Sequence, residues 1–202
     1  LAKLLNKDDK IKDISVILDS IPSVSVGVVN LAYPAFVKLP VSGFGYLIPQ
    51  SENENESILG TIFDSDAMPH QSQMPVTRLT VMMGGYRFDS LFGNPSTVSK
   101  DRLLKVATEA VKKHLGITFD PLDSLVNVHQ KCIPQYLVGH RQKMSVLHHL
   151  LCTSKVFKKR LSVVGASYTG VSVNDCVFES YKSVQRFSKG MENGITGLEK
   201  FI

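Results

Sequence analysis

Apolar residues recur at helical spacing through Leu4, Leu5, Ile11, Ile14, Ile17 and Leu18, with charges between them, which predicts a helical stretch over residues 1–20. Pro22 closes it. From Ser23 to Tyr33 the period changes to two, with Val24, Val26 and Val28 on one face, so a long strand is predicted, and Gly27 inside it either admits a close neighbour or marks a bulge. A short strand is expected over Gly43–Pro49, then an acidic polar loop, SENENES, then strands at Ile58–Asp64 and Val76–Met83 joined by a polar connection around Pro69–Pro75. Ser99 is a suitable N-cap and Gly116 a suitable C-cap glycine for a helix over Lys100–Leu115, whose Leu103, Leu104, Val106, Ala107, Ala110, Val111 and Leu115 form a wide apolar stripe. A strand over Leu125–Lys131, a break at Cys132-Ile133-Pro134 and a helix over Gln142–Leu151 follow. Another short strand begins at Leu161, and a last helix runs from Val173 to Lys189, stopped by Gly190. The glycine-rich end, residues 191–202, is expected to be loose.

Helices and strands alternate without a βαβ rhythm, and internal repeats are absent. The predicted class is therefore α+β, a mixed and largely antiparallel sheet of six or so strands with covering helices, in preference to a doubly wound domain.

Composition narrows the picture a little. The 202 residues are 43% hydrophobic and 20% charged, enough for one or two domains with a real core. The net charge of +5 would suit an anionic partner, but the basic residues are scattered apart from Lys155, Lys158, Lys159 and Arg160, with no nucleic-acid motif beside them. A solvated basic loop is the plainer reading, and no nucleic-acid partner is expected. Cys132, Cys152 and Cys176 form no paired motif, so reduced and mostly buried thiols are expected. The six histidines lack ligand spacing and no metal site is expected. The sequon Asn55-Glu56-Ser57 carries little weight alone. No apolar run is long enough to span a bilayer.

The stretch Leu161–Ser180, LSVVGASYTGVSVNDCVFES, has the most specific chemistry. A short apolar strand passes through a glycine-bounded turn to Ser172 and Asp175, whose spacing is that of a capping box. Such a strand-to-helix turn either packs closely through its small residues or presents free backbone N–H groups to an anion. Gly165-Ala166-Ser167-Tyr168-Thr169 lacks the last glycine of a nucleophile elbow, so an acyl-transfer serine is not expected.

GASYTGVSVNDC resembles the C-terminal flavin-binding signature of the oxygen-dependent protoporphyrinogen oxidases, in the flavin amine oxidase superfamily. SVSVGVVNLAY (23–33), LPVSGFGYLIP (39–49) with LTVMMGG (79–85), and HQKCIPQYLVGH (129–140) are similar to the same family in the same order. The resemblance implies the C-terminal portion of an FAD enzyme that removes six electrons from protoporphyrinogen IX, with O2 as acceptor, in haem synthesis. It also implies that a preceding portion holds the dinucleotide fingerprint and the propionate-pairing arginine. Leucine at the first position agrees with a partial chain. Gly43-Phe44-Gly45 lacks the third glycine and the helix that such a fingerprint needs.

On this resemblance residues 1–160 belong to a substrate-binding domain and 161–190 to the strand and helix that return to a Rossmann-like FAD domain. The flavin would be approached by Gly165, Ala166, Gly170, Val171, Ser172 and the backbone of Val173 and Asn174. Phe44, Gly45, Leu47 and Met82 would line the tetrapyrrole pocket, although Leu47 and Met82 read equally as core residues facing each other across strands. No catalytic acid or base is named. The family further implies a homodimer, peripheral membrane association through a region outside this chain, and the intermembrane-space side of the mitochondrial inner membrane. Two departures stand out: Arg141, where some members carry an aromatic residue, and Phe178 and Tyr181, where the family commonly continues Glu-Ser-Gly. Rival readings are another flavin amine oxidase, acting on an amine or a carotenoid, and a non-enzymatic tetrapyrrole carrier. The fragment alone is expected to be inactive.

Overall fold

The computed structural model describes residues 1–5, 9–52, 54, 56–71, 74–158, 160–189 and 195–202. Asn55 of the sequon, Lys159 of the basic run and the expected helix stop Gly190 lie outside the described residues. In chain order the elements are α1 (Ala2–Leu5), α2 (Lys12–Asp19), β1 (Ser23–Pro34), β2 (Gly45–Leu47), β3 (Ile58–Ile62), α3 (Asp64–Ala67), β4 (Val76–Gly85), α4 (Phe88–Phe92), α5 (Lys100–Leu115), β5 (Asp123–Pro134), α6 (His140–Thr153) and α7 (Val173–Ser188). They divide into two compact units, one of residues 24–132 and the other of 1–23 with 133–202.

In the first unit five strands pair in the order β2-β3-β4-β1-β5, one fewer than the six or so expected. The β2–β3, β3–β4 and β4–β1 pairs are antiparallel. Directly opposed residues share a sheet face, so Tyr46, Thr61, Val81 and Val29 form one row across four strands. Thr61, Val81 and Val29 in that row are buried, while the neighbouring row Leu47, Gly60, Met82 and Val28 lies on the other face. The core face of β1 is thus Ser25, Gly27, Val29, Leu31 and Tyr33, while on the opposite face Val26 is buried and Val24 and Val28 are partly buried. Leu103, Ala107, Ala110 and Val111 of α5 join that core. Removing each large apolar side chain from water contributes about 1.5–3 kcal/mol. A Cβ at Gly27 would come within 3.0 Å of Met83 Cγ and 3.4 Å of Leu103 Cδ1, so this glycine serves a close neighbour.

The caps of α5 are those predicted: Ser99 accepts the Arg102 N–H, and Gly116 closes the helix in the left-handed region at φ +68°. Glu56 holds the other end of α5 through Lys113 and through His114 Nε2, 3.1 Å away. His114 Nδ1 lies 2.8 Å from the Tyr46 hydroxyl, which also accepts from Thr61 Oγ1 at 3.1 Å.

The second unit packs Ile11, Ile14 and Leu18 against Met144, Leu147 and Leu151 of α6, with Val163 and Leu198 completing the core. Two expectations change here. Leu161–Val164 carries no strand: its backbone meets the end of the chain through Val163 N–H to Thr196 O, 2.8 Å, and among the described residues forms no ladder. The end of the chain is not loose over 195–198, where Ile195, Thr196, Gly197 and Leu198 are buried. Glu199 accepts the N–H groups of Thr196 (2.6 Å) and Gly197 (3.2 Å) and pairs with Arg186, while Thr196 Oγ1 lies 2.7 Å from His148 Nδ1. Gly197 sits at φ +81°, and a Cβ there would meet Val163 O at 2.1 Å. Glycine count therefore signalled tight packing at this place, not disorder.

The cysteines are less buried than expected, with Cys132 exposed and Cys152 and Cys176 intermediate. Lys155, Lys158 and Arg160 are exposed. No described helix is long and apolar enough to cross a membrane.

Candidate functional site

The turn between Gly165 and Ser172 leads directly into α7. Ser172 Oγ accepts the Asp175 N–H at 3.0 Å and the Asp175 carboxylate accepts from Ser172 N–H at 3.3 Å, the reciprocal capping box that the spacing predicted. The Ser172 hydroxyl and N–H on its carboxylate, outweighing what desolvation it has, hold Asp175 below the usual carboxylate range. Cys176 N–H already reaches Ser172 O. Among the described residues this leaves the first-turn N–H groups of Val173 and Asn174 without an acceptor. The fixed Asp175 charge offsets part of the helix dipole, so these two N–H groups, more than the macrodipole, are what the terminus offers.

Glycine is needed at two positions in the turn for different reasons. Gly165 has φ +117° with open space around a would-be Cβ, so conformation selects it. At Gly170 a Cβ would fall 2.5 Å from Asp175 Cβ, so the capping box itself requires the glycine. Ala166 lies partly buried between them, and Val171 is 58% exposed at the mouth.

Three side chains from outside the turn hold its carbonyls. The Tyr136 hydroxyl donates to Ala166 O at 2.5 Å, His140 Nε2 lies 3.0 Å from Tyr168 O, and Lys200 Nζ donates to Thr169 O. A carbonyl only accepts, so the His140 proton sits on Nε2. His140 stacks on Tyr136 with centroids 4.0 Å apart and planes within 9°. Gly139, at φ +91°, makes the N-cap turn that brings the two rings together. Burial pushes the Tyr136 hydroxyl above its ordinary ionisation range, while the Gly170 N–H acts in the opposite direction. Thr169 Oγ1 is buried with no hydrogen-bond partner among the described residues.

These three holding residues were not among the predicted site residues. Tyr136 and His140 lie within HQKCIPQYLVGH, whose match to the family was a usable signal, whereas Lys200 lies in the end expected to be loose and had none. Stacking next to Arg141 is supplied by His140, and Arg141 itself is exposed.

The predicted tetrapyrrole-lining residues belong to the first unit and lie together on or beside the sheet face opposite the α5 core. Leu47 is 76% exposed and Phe44 71% exposed, while Met82 is partly buried two strands away from Leu47. Leu47 is therefore not a core residue. Gly60 pairs with both Leu47 and Met82, so the position between them has no side chain of its own and the Leu47 side chain lies against it. A Cβ at Gly60 would lie 2.3 Å from Tyr46 O and 3.0 Å from Leu47 Cδ2. Gly60 was missed from sequence because only the strand pairing places it there. A Cβ at Gly45, φ +146°, would lie 2.2 Å from Thr61 O.

No family model matches the chain. Curated relatives do: protoporphyrinogen oxidase of Bos taurus is 41% identical over 170 residues, covering 84% of this chain and 34% of that protein. The Homo sapiens enzyme is 41% identical over 161 residues, and that of Schizosaccharomyces pombe 31% over 175 residues. This chain is homologous to part of the protoporphyrinogen oxidases. It spans about a third of the length of these relatives. Among solved structures, a protein of Exiguobacterium sp. 255-15 provisionally named protoporphyrinogen oxidase aligns with TM-score 0.69 at 19% identity, over 84% of this chain and 35% of the other. Reduced UDP-galactopyranose mutase aligns with TM-score 0.62 at 12% identity, over 99% of this chain and 43% of the other. At these identities the structures speak for the fold alone, the α+β arrangement described above.

Proposed function

We propose that this chain is the C-terminal portion of an oxygen-dependent protoporphyrinogen oxidase, which converts protoporphyrinogen IX to protoporphyrin IX with FAD as cofactor. The observation that carries the reading is 41% identity over 84% of the chain to protoporphyrinogen oxidase. In the complete protein each O2 would leave as hydrogen peroxide, one for each of three two-electron steps. Bound FAD would supply the acceptor for each hydride.

The residues of the turn fit that group. The open N–H groups of Val173 and Asn174 provide donors for an electron-rich heterocycle, and Gly165, Ala166, Gly170, Val171 and Ser172 shape the approach to them. The Thr169 hydroxyl, without a partner among the described residues, is a further polar atom in need of one. The sheet face opposite the α5 core suits the other reactant: exposed Phe44 and Leu47 and partly buried Met82 offer apolar surface, and exposed Gly45 carries no side chain beside them. Eukaryotic relatives support a mitochondrial enzyme, and the membrane-associated homodimer on the intermembrane-space side is the finer form of the same proposal.

The test is the appearance of porphyrin fluorescence from protoporphyrinogen IX with the full-length protein and FAD. A rate well above autoxidation is expected, with one peroxide formed per two electrons. No acceleration at saturating FAD would overturn the reading. The 202-residue chain with added FAD should not exceed autoxidation.

A further inference from the structure

We infer that Tyr136, His140 and Lys200 are positioning residues that set the orientation of the flavin-binding turn by holding the carbonyls of Ala166, Tyr168 and Thr169. The inference rests on the flavin reading above and deepens it.

The geometry of the trans peptide carries the argument. In each planar peptide unit the C=O and the following N–H point in opposite directions. Fixing Ala166 O on the Tyr136 hydroxyl therefore aims the Ser167 N–H away from Tyr136, and fixing Tyr168 O on His140 aims the Thr169 N–H away from His140. The N–H groups of Ser167 and Thr169 are thus turned away from Tyr136 and His140, while Lys200 fixes the Thr169 carbonyl whose peptide aims the Gly170 N–H at Tyr136. The turn lacks a ladder of its own: its internal backbone bond is Tyr168 N–H to Gly165 O, 3.1 Å. Without outside partners, such a turn would rotate its peptide planes freely between states.

The three partners are themselves fixed. His140 is 9% exposed at the start of α6, stacked on Tyr136 and edge-on to Phe201 with centroids 6.3 Å apart. Lys200 belongs to the short 3-10 turn Glu199–Phe201, which Glu199 anchors through the backbone of Thr196 and Gly197. The end of the chain and the start of α6 thus meet on one loop, and each contributes a donor. A carbonyl released from its donor is free to turn its negative end toward a bound flavin, where it opposes charge accumulating on the reduced ring.

The variants to make in the full-length holoenzyme are Tyr136→Phe, Lys200→Met and His140→Phe, with His140→Gln as the conservative partner that retains an N–H donor. Tyr136 and Lys200 are partly exposed, so their variants keep the fold even if His140→Phe does not. Readouts are the FAD dissociation constant, the midpoint potential of the bound flavin, and amide exchange at Ser167 and Thr169. Tyr136→Phe and His140→Phe are expected to weaken FAD binding about tenfold, to lower the flavin potential, and to speed exchange at those two amides about tenfold. Amides in the middle of α7 should be unchanged and His140→Gln should restore most of the loss. Unaltered potential and unaltered exchange in Tyr136→Phe and Lys200→Met would overturn the inference, as would a loss of thermal stability with no change in either. Absence of FAD binding by the wild-type protein would instead remove the flavin reading itself, and exchange at Ser167 and Thr169 in the variants would still decide whether the three side chains orient the turn.

Discussion

Helices α5 and α7 are each 16 residues long and each has a serine N-cap, yet they end in opposite situations. On α5 the apolar stripe is covered, with Leu103, Ala107 and Val111 wholly buried in the sheet core. On α7 the corresponding side chains, Val177 (64%), Phe178 (55%), Tyr181 (58%) and Val184 (65%), are exposed, and Ser183 is its buried residue. Periodicity therefore announces a helix and its apolar face, and says nothing about what covers that face. The α7 helix is held chiefly by its own hydrogen bonds and cap, and α5 by tertiary packing.

The largest expected effect tests this contrast directly. Leu103→Ala should cost roughly 2–5 kcal/mol in urea denaturation of the chain, whereas Val177→Ala should cost no more than about 0.5 kcal/mol. Equal losses would mean that the α7 stripe is covered in solution, for instance by a second copy.

Next in size is an alkaline effect on the core under α5. Burial, with Asp120 nearby, raises the Tyr33 hydroxyl to about 12 from the ordinary 10. The folded state thus keeps a proton that the unfolded chain loses, so stability is fully present below pH 10 and falls as pH rises towards 12. The loss should be on the order of 2–3 kcal/mol, read from denaturation midpoints alongside tyrosinate absorbance. A flat stability over that range would remove Tyr33 from the core.

A smaller effect separates the two caps. Ser172→Ala should destabilise α7 by about 1 kcal/mol, seen as faster exchange of its first-turn amides. Ser99→Ala should do less to α5, because the Ser99 contact to Arg102 N is long, 3.5 Å, and packing holds that helix regardless. The reverse order would show that the cap, not the core, governs α5.

Smallest are the acid effects. Burial pushes the Glu56 carboxyl up, but hydrogen bonds from Lys113 and His114 outweigh it and leave the group below its ordinary 4.5. Burial likewise raises Glu199, outweighed by the N–H groups of Thr196 and Gly197 and by Arg186. Both contributions are present above about pH 4.5 and are lost as pH falls through the lowered folded values. Glu56→Gln and Glu199→Gln should each flatten the acid limb of the stability profile. An unchanged limb in both would show that these carboxylates do not anchor the helix end and the chain end.

Strand alternation, the two serine caps, Gly116 and the capping box were legible because each depends on neighbours within a turn or on a period of two. The failures share a different cause. Leu161–Val164 is apolar and β-branched enough for a strand, but a strand exists only where another backbone pairs with it. Gly197 looked like a source of looseness, yet it admits Val163 O at a distance no Cβ would allow. Gly60 draws its place in the candidate pocket from pairing with Leu47 and Met82.

The sequence by itself determined where helices begin, which residues alternate, and the turn chemistry of Gly165 to Asp175, since these follow from local backbone sterics and hydrogen bonds. Tertiary structure alone decided which face of β1 joins the α5 core, that α5 is covered and α7 is not, and that Tyr136, His140 and Lys200 converge on one loop. Such choices rest on contacts between residues dozens of positions apart, whose energies belong to the pair and are written in neither partner alone.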